Sequence, residues 1–502
     1  APASPLTVTT RSGWSHRTWL LLVVLCGALF LDGLDVSMVG VALPSLGADL
    51  GMGPAALQWV VSGYVLGYGG LLLLGGRTAD LLGRRPVFLT AVAVFGVASV
   101  ASAFLSDPTA LVALRFAKGV AAAFTVPAGL SIITTTFAEG PARDRALSIY
   151  TVCGASGFSL GLVFGGFLTE LGWRATFLLP GPVALLLVAA GAVIVPRTAR
   201  QAPSPRQLDL LGASTVTGSL LLLVYAVVQA PERGWGSAAT WGLLAASAAL
   251  AALFVVVERR HPRPLVRLGI LRSAALVHAN VTGAVMFGGY VAFQFVLTLY
   301  LQNSLGWSPL TTALALLPAG LLVVASSTRI DRVLARYGTL RPIAVGMTAF
   351  TTAYALFLRA EPGMAYAEFL LPTVVLLGVG FALCFPAVNS QATAGVADAE
   401  QGLASGLVNT SIQVGGAVTL AAVSAVTGSA GAPVPGALLP GTGTAVAIVT
   451  GLSAVGLLAA VVLLARARAA RPAAAPVGLP AQVAPVVPGA PVVPGPAEVA
   501  GR

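Results

Sequence analysis

Two acidic and two basic side chains stand in apolar stretches of this sequence, where a soluble domain would have no need of them. Asp32 and Asp35 lie three residues apart within 19–41, and Arg115 and Lys118 lie three residues apart in a later apolar run. Residues at that spacing share one face of a helix. A lone charge in hydrocarbon costs roughly 2.5–3.5 kcal/mol, so such residues generally pair and mark ion or substrate pathways. The four residues are predicted to form acid–base pairs that exchange protons.

The predicted depths of the two pairs agree. Counted from Pro44, taken as the outer end of the first helix, Asp35 lies about 13 Å deep at helical rise. Counted from the start of the fourth helix at Pro108, Arg115 lies about 10 Å deep and Lys118 about 15 Å. Lys118 is the only lysine in the chain, and a buried lysine, unlike arginine, can lose its proton. The alternative is a purely structural ion pair that holds two helices together.

The composition places these residues in a membrane. Of the 502 residues, 57% are hydrophobic and 9% are charged, against about 25% charged in an ordinary soluble domain. Apolar runs longer than the roughly 18 residues of a spanning helix recur along the whole chain. The sequence therefore predicts an all-α membrane protein with fourteen spanning helices, at about 19–43, 56–76, 86–105, 109–136, 146–169, 175–195, 209–230, 238–257, 273–301, 309–328, 341–358, 365–393, 402–427 and 443–465.

The breaks between these runs group the helices as six, two and six. The predicted organisation is a leader (1–18), a six-helix bundle (19–196), two linker helices with basic flanks (197–272), a second six-helix bundle (273–467) and a disordered tail (468–502). The motif FTVPAGLS of the first bundle is echoed by CFPAVNS of the second. Internal repeats with a site between them are typical of transporters.

The arginines predict the orientation. Short loops on the cytoplasmic side of membrane proteins are enriched in arginine and lysine. Only three arginines fall in loops on the side opposite the N-terminus, and the other side holds most of the rest. Both termini, including the tail, are therefore predicted to be cytoplasmic, and the bilayer accounts for the net charge of +11 without nucleic acid. The alanine-, arginine- and proline-rich composition is typical of a high-GC bacterium, which points to its plasma membrane.

The sequence contains no recognisable motif for enzyme catalysis. The three cysteines, Cys26, Cys153 and Cys384, are far apart and have no metal-ligand spacing. There is no nucleotide-binding P-loop, no histidine–carboxylate cluster and no nucleophile–base motif. The prediction is a chain that is not an enzyme and needs neither a metal nor a cofactor, with a proton gradient as its energy source.

The stretch GGRTADLLGRR, predicted to form a cytoplasmic loop, resembles the signature loop of the major facilitator superfamily. Gly76, Asp80, Gly83, Arg84 and Arg85 match its pattern. LDVSMVGVALP resembles the first-helix motif of the fourteen-helix drug–proton antiporter branch, and LRFAKGVAAA resembles the fourth-helix motif. In the latter, Lys118 stands where a glutamine is usual. The resemblance covers about residues 19–465.

A further motif of that branch is matched in the fifth helix. GFSLGLVFGG resembles the antiporter motif, although Leu162 replaces its proline. Its glycines repeat every four residues, a pattern that allows close helix packing. The residues assigned to this packing motif are Gly157, Gly161, Gly165 and Gly166.

Polar residues at membrane depth in the second half are candidates for substrate contact, although each is more often a hydrogen bond between helices. Gln294 is preferred because it stands among aromatic residues, and pockets combine aromatic faces with a few polar groups. The candidates are Gln294, Tyr290, Phe293, Asn409, Gln413 and Asn389.

The resemblance implies a fold of two six-helix bundles plus two additional helices, and a proton-coupled antiporter that exports drug-like or antibiotic small molecules by alternating access. Its expected partners are the substrate, protons and lipid, and a monomer is expected. Two alternatives stay open: a dedicated transporter of one metabolite, such as an amino acid or siderophore, and a membrane sensor that moves nothing.

Overall fold

The computed structural model describes residues 14–137, 140–197, 209–261, 264, 266–327, 329–361, 365–396, 400–429 and 440–469. Within these ranges the chain is helical and contains no strand. The helices are α1 His16–Leu50, α2 Pro54–Leu82, α3 Arg84–Phe104, α4 Pro108–Thr136, α5 Pro141–Leu171, α6 Trp173–Leu178, α7 Pro180–Ile194, α8 Leu210–Arg233, α9 Ala238–Arg260, α10 Ala274–Leu299, α11 Pro309–Ser327, α12 Ile330–Tyr337, α13 Leu340–Phe357, α14 Leu371–Thr393, α15 Gln401–Ser429 and α16 Thr442–Ala469. Single π-helical turns, Tyr300–Ser304 and Tyr366–Leu370, extend α10 and precede α14.

The chain is a multi-pass membrane protein. Eleven helical segments of the described part are long and apolar enough to cross a bilayer. The other three predicted spans coincide with the helices α2, α8 and α13, which fall outside that set. The total of fourteen spans therefore stays a prediction, although every predicted span lies on a helix.

Side chains at the helix ends explain where several helices begin. Ser15 and Asp107 accept hydrogen bonds from the first-turn amides of α1 and α4, at 3.2 and 2.7 Å. Such side chains satisfy amides that have no partner within the helix. α1 ends at Gly51, whose φ of 65° is a conformation that glycine adopts without strain.

The structure corrects three helix boundaries. α1 continues through Pro44 to Leu50, so Pro44 is not its outer end. The stretch predicted as a signature loop is helical up to Leu82, and Gly83 alone separates α2 from α3. α1 begins at His16, inside the predicted leader, of which residues 1–13 lie outside the described part, as does 470–502 of the predicted tail.

The helices pack in two sets. One hydrophobic core lies mainly in the first set, and the second core fills the second set and extends to first-set residues such as Val39 and Leu46. In the first set α1 lies on α5, and α2 and α3 lie on α4. In the second set α10 lies on α14, α15 and α16, and α13 lies on α14 and α16. The two sets meet where α2 contacts α15 and where α5 contacts α11. The residue boundaries of the two predicted bundles remain predictions.

The two sets are closed against each other on the side where α1 and α5 end. Gln302 donates a hydrogen bond to the carbonyl of Val41 at 3.0 Å, and Ser308 donates to Glu170 at 2.9 Å. Gly166 packs directly against the first turn of α11. These contacts define one closed end of the seam between the sets.

The helices α8 and α9 pair with each other, and α8 lies across that seam, because it contacts both α2 and α15. Thr217 of α8 donates a hydrogen bond to the carbonyl of Gly70 at 2.7 Å. The rings of Tyr225 and Trp59 lie 6.0 Å apart. α8 thus touches both sets directly.

Gly157 is predicted to be essential for the contact between α1 and α5. A Cβ atom there would collide with the backbone of Phe30, and overpacking typically costs about 1–3 kcal/mol. Gly157→Ala should therefore lower the melting temperature of the detergent-purified protein. Gly451→Ala is the matched control, because its Cβ would meet no atom within 4 Å. Equal melting temperatures for Gly157→Ala and wild type would contradict the predicted clash.

Candidate functional site

The centre of the first helix set is a carboxylate held between two cations. Asp35 of α1 accepts from Arg115 of α4 at 2.5 Å and, through its other oxygen, from Lys118 of α4. The relative exposures of Asp35 and Lys118 are 0%, and that of Arg115 is 1%. Charge-assisted hydrogen bonds of this kind are the strong ones in proteins, and removal of either sign would leave a buried charge uncompensated.

α2 positions Arg115. The Nε of Arg115 donates to the backbone carbonyl of Val60 at 2.9 Å, and the guanidinium lies 4.6 Å from the centroid of the Tyr64 ring. Gly119, one turn further along α4, makes this approach possible, because a Cβ there would collide with the carbonyl of Tyr64. A glycine in the fourth-helix motif therefore brings α2 close enough to orient the guanidinium.

α3 and α6 position Lys118. Its Nζ donates to the hydroxyl of Ser99 at 3.0 Å, and Ser99 donates in turn to the carbonyl of Phe177 at 2.8 Å. The ammonium also lies 4.7 Å from the ring centroid of Phe95 and 5.4 Å from that of Phe177. Cation–π contacts of this kind stabilise a desolvated ammonium. Lys118 thus keeps partners on three sides besides Asp35.

Asp32 has a different partner from the one predicted. It accepts a hydrogen bond from the hydroxyl of Tyr64 and is described in no ion pair with either base. Two side chains three residues apart on an α-helix point in directions that differ by about 60° about the helix axis. This difference is enough to turn Asp32 towards α2 while Asp35 faces α4. The two acids are nevertheless connected, because the ring of Tyr64 lies beneath Arg115.

The contact between Asp35 and Arg115 also revises the predicted depths of these two residues in the membrane. Asp35 lies fifteen residues before Leu50, about 22 Å from the true end of α1. Arg115 lies only about 10 Å from the start of α4. Because the two side chains touch, the last turns of α1 must extend beyond α4. The count from Pro44 placed the acids and bases at one depth, although Pro44 lies inside the helix.

The glycines of α5 fix the position of α1. Cβ atoms at Gly157, Gly161 and Gly165 would collide with the backbone of α1 near Phe30, Leu34 and Met38. The predicted close packing is therefore between α5 and the helix that carries Asp35. Gly166 faces the other way, against α11.

The predicted gating residues surround the short turn between α2 and α3. Gly83 has φ of 99°, which favours glycine, and Arg85 donates to the carbonyl of Ala192 in α7. Gly76 lies near Pro127 of α4, and Arg84 begins α3. The side chain of Asp80 lies outside the described part of the structure.

The six predicted substrate contacts do not form one site. Phe293 is buried among Tyr354 and Phe357 of the second set, away from the seam. Asn389 and Asn409 donate to carbonyls of their own helices, four residues earlier. These three residues thus have partners within the second set, and their contact with substrate stays a prediction.

The other three predicted contacts lie at the seam. Tyr290 contacts Phe158 of α5, with ring centroids 6.0 Å apart. A Cβ at Gly40 of α1 would lie 3.8 Å from Nε2 of Gln294, and one at Gly69 of α2 would collide with Gln413. All three side chains thus reach a helix of the opposite set.

Sequence reasoning missed Tyr64, Ser99 and three phenylalanines at the seam, Phe158, Phe381 and Phe385. Tyr64 had one available signal, since a buried tyrosine usually finds a hydrogen-bond partner for its hydroxyl. Ser99 had none, because a serine in an apolar helix commonly bonds its own backbone. No group of three histidine, cysteine or acidic side chains that could hold a metal occurs among the residues described.

The profile of the Major Facilitator Superfamily matches residues 25–420. The chain belongs to this superfamily. It is therefore a membrane transporter and not an enzyme.

The relatives of this superfamily member include proteins of antibiotic resistance and export. It is 39% identical to the puromycin resistance protein pur8 of Streptomyces alboniger over 433 residues, 84% of each chain. It is 38% identical to the cephamycin export protein CmcT of Amycolatopsis lactamdurans over 427 residues, 84% of this chain and 87% of the relative. Among solved structures, a peptide transporter POT in complex with sulfate matches 89% of this chain and 94% of its own, with a TM-score of 0.65 and 16% identity.

In this transporter, the two acids are predicted to differ in their effect on stability. Asp35→Ala leaves Arg115 and Lys118 without their counter-ion, and breaking a buried pair costs about 3–5 kcal/mol. Asp32→Asn keeps an oxygen that accepts from Tyr64, so its cost should be well below that of Asp35→Ala. Melting temperatures of the two variants in the same detergent measure the difference. An Asp32→Asn variant as unstable as Asp35→Ala would refute the assignment of the counter-ion to Asp35 alone.

Proposed function

We propose that the protein is a proton-coupled antiporter that exports antibiotic-like small molecules across the bacterial plasma membrane. The observation that carries the proposal is the Asp35 carboxylate buried between Arg115 and Lys118. Two relatives whose alignments cover 84% of this chain are named for puromycin resistance and cephamycin export. Intramembrane acid–base groups commonly serve as proton relays.

Protonation of Asp35 would change the contact between α1 and α4. A neutral carboxyl group binds cations less strongly than a carboxylate. Lys118 would then rely on Ser99 and the Phe95 ring, and Arg115 on the Val60 carbonyl and the Tyr64 ring. Because those partners remain, the two cations stay tolerable while their bond to α1 weakens. The proton thus releases α1 from α4 without leaving either base unpartnered.

The closed end of the seam indicates to which side of the membrane the two sets are open when α1 is released from α4. The two helix sets are closed where α1 and α5 end, through contacts such as Gln302 with Val41. The arginine distribution assigns that side to the exterior and both termini to the cytoplasm. We infer an inward-facing state, from which rocking of the two sets would open the outer side. Alternating access by a monomer needs no further subunit.

The gating residues at the turn between α2 and α3 belong to the same cycle. Arg85 fastens the start of α3 to the carbonyl of Ala192 at the cytoplasmic end of α7. Gly83 allows the tight turn that places Arg84 and Arg85 there. These contacts would hold the cytoplasmic ends of the first set together while the set moves as a unit.

Asp35→Asn should abolish transport driven by a pH gradient, because an amide cannot exchange the proton. The assay uses inverted membrane vesicles with an imposed pH gradient, and follows uptake of puromycin, a cephamycin and lincomycin. Dissipation of the gradient by each compound is recorded in parallel. Vesicles that contain the wild-type protein are expected to accumulate at least one of these compounds only when the pH gradient is present.

Asp49→Asn is the matched control. Asp49 is also an acid of α1 paired with an arginine, Arg174, but this pair is exposed, and exposed pairs contribute little. Its variant should transport like wild type. Gradient-driven transport at the wild-type rate in Asp35→Asn would sink the assignment of Asp35 as the proton carrier.

A further inference from the structure

Four aromatic side chains meet at the seam between the two helix sets, and together they form the aromatic seam: Phe158 of α5, Tyr290 of α10, and Phe381 and Phe385 of α14. Their ring centroids lie 5.1–6.4 Å apart in the successive contacts. Each contributing helix carries its aromatic residue near its middle. The aromatic seam therefore lies deep in the membrane, where the two sets must part during transport.

The geometry of one pair within the seam is distinctive. The rings of Phe158 and Phe381 belong to opposite sets, yet their planes are only 11° from parallel, with centroids 6.4 Å apart. Phe385 stacks behind Phe381, again at 11°, with centroids 5.2 Å apart. Three ring planes thus lie nearly parallel across the seam, in the offset range in which aromatic rings attract one another.

The four rings of the aromatic seam differ in burial. Phe158, Phe381 and Phe385 are only partly buried, whereas Tyr290, which touches both Phe158 and Phe381, is buried. Tyr290 thus covers part of the stack, while the three phenylalanine rings keep some accessible surface. An incomplete stack of this kind can accept a further flat ring.

An uncharged polar group, the amide of Gln294, lies one helical turn from the stack. Gln294 follows Tyr290 by one helical turn and so shares its face of α10. Its amide reaches α1, close to Gly40. None of the aromatic seam's four members is charged, and the nearby acid Asp35 is already neutralised by Arg115 and Lys118. The surroundings therefore offer ring faces and a hydrogen-bonding amide rather than a free charge.

We propose that the space between Phe158 and Phe381 is a binding site for a planar aromatic group of the substrate, which stacks between the two rings when the sets separate. The incoming ring replaces the contact that each phenylalanine loses, and the amide of Gln294 binds a polar substituent at its edge. This inference rests on the proposed export function and adds to it a chemical class of substrate.

The experiment compares two lipophilic monovalent cations, ethidium, which is planar, and tetraphenylphosphonium, which is not. Dissociation constants are measured with the full-length protein in detergent, without a proton gradient. Wild-type protein should bind ethidium more tightly than tetraphenylphosphonium. Phe381→Leu should weaken ethidium binding about fivefold, as expected for the loss of one stacking partner, and leave tetraphenylphosphonium nearly unaffected. Phe381→Tyr, which keeps the ring, should restore ethidium binding.

Phe369→Leu is the control, because that ring precedes α14 and packs on Phe357, away from the aromatic seam. It should leave both dissociation constants unchanged. Equal losses for both probes in Phe381→Leu would mean that the ring only holds the sets together, and would overturn the proposal. So would failure of wild-type protein to bind ethidium. Selective ethidium binding without gradient-driven export would instead leave the stacking site intact and refute the proton-coupled exporter.

Discussion

The rest of the first helix set depends on the neutralisation of one buried carboxylate. Asp35 has no solvent contact, so its charge must be balanced from within the protein. Arg115 and Lys118 supply two positive charges from one turn of α4, and each base needs further partners of its own. Those partners come from α2, α3 and α6. A single acid thereby imposes contacts on four neighbouring helices, which explains why so many small residues occur where they approach.

The forces that join helices in a bilayer act at short range, so the helices must approach closely. Glycine permits this approach because it has no Cβ atom. Gly119 allows the backbone of α4 to approach Tyr64, and the α5 glycines allow the backbone of α5 to approach Phe30 and Leu34. Any Cβ at these positions would separate the helices and lengthen the ion pairs. The glycine motifs and the charged residues are thus parts of one geometric requirement, although they stand in different helices.

The sequence predicted the elements and the acid–base contact because both follow from local rules. Hydropathy and turn residues located the helices, and the cost of a lone charge in hydrocarbon predicted that Asp35 pairs with a base. Partners that depend on rotation about a helix axis were beyond such rules. Asp32 turns to Tyr64 through 60° of helix rotation, and Phe293 turns into the second core while Tyr290, three residues earlier, reaches the seam. Pro44 misled for a related reason, because a proline disfavours the interior of a helix but does not always end it.

α1 connects the proton site to the seam without an intermediate. One face of α1 carries Asp35 towards α4. Gly33 and Gly40 lie about two turns apart on another face. A Cβ at Gly33 would lie 3.0 Å from the amide nitrogen of Phe158 in α5, and one at Gly40 would lie 3.8 Å from Nε2 of Gln294. Close-packed interiors transmit displacement because they cannot absorb it. A shift of α1 on protonation of Asp35 must therefore move α5, and with it the Phe158 ring, or else break the glycine contacts. Under the proposed mechanism, proton uptake and release of a stacked substrate would be coupled through the displacement of one helix, rather than through a chain of charges across the cavity.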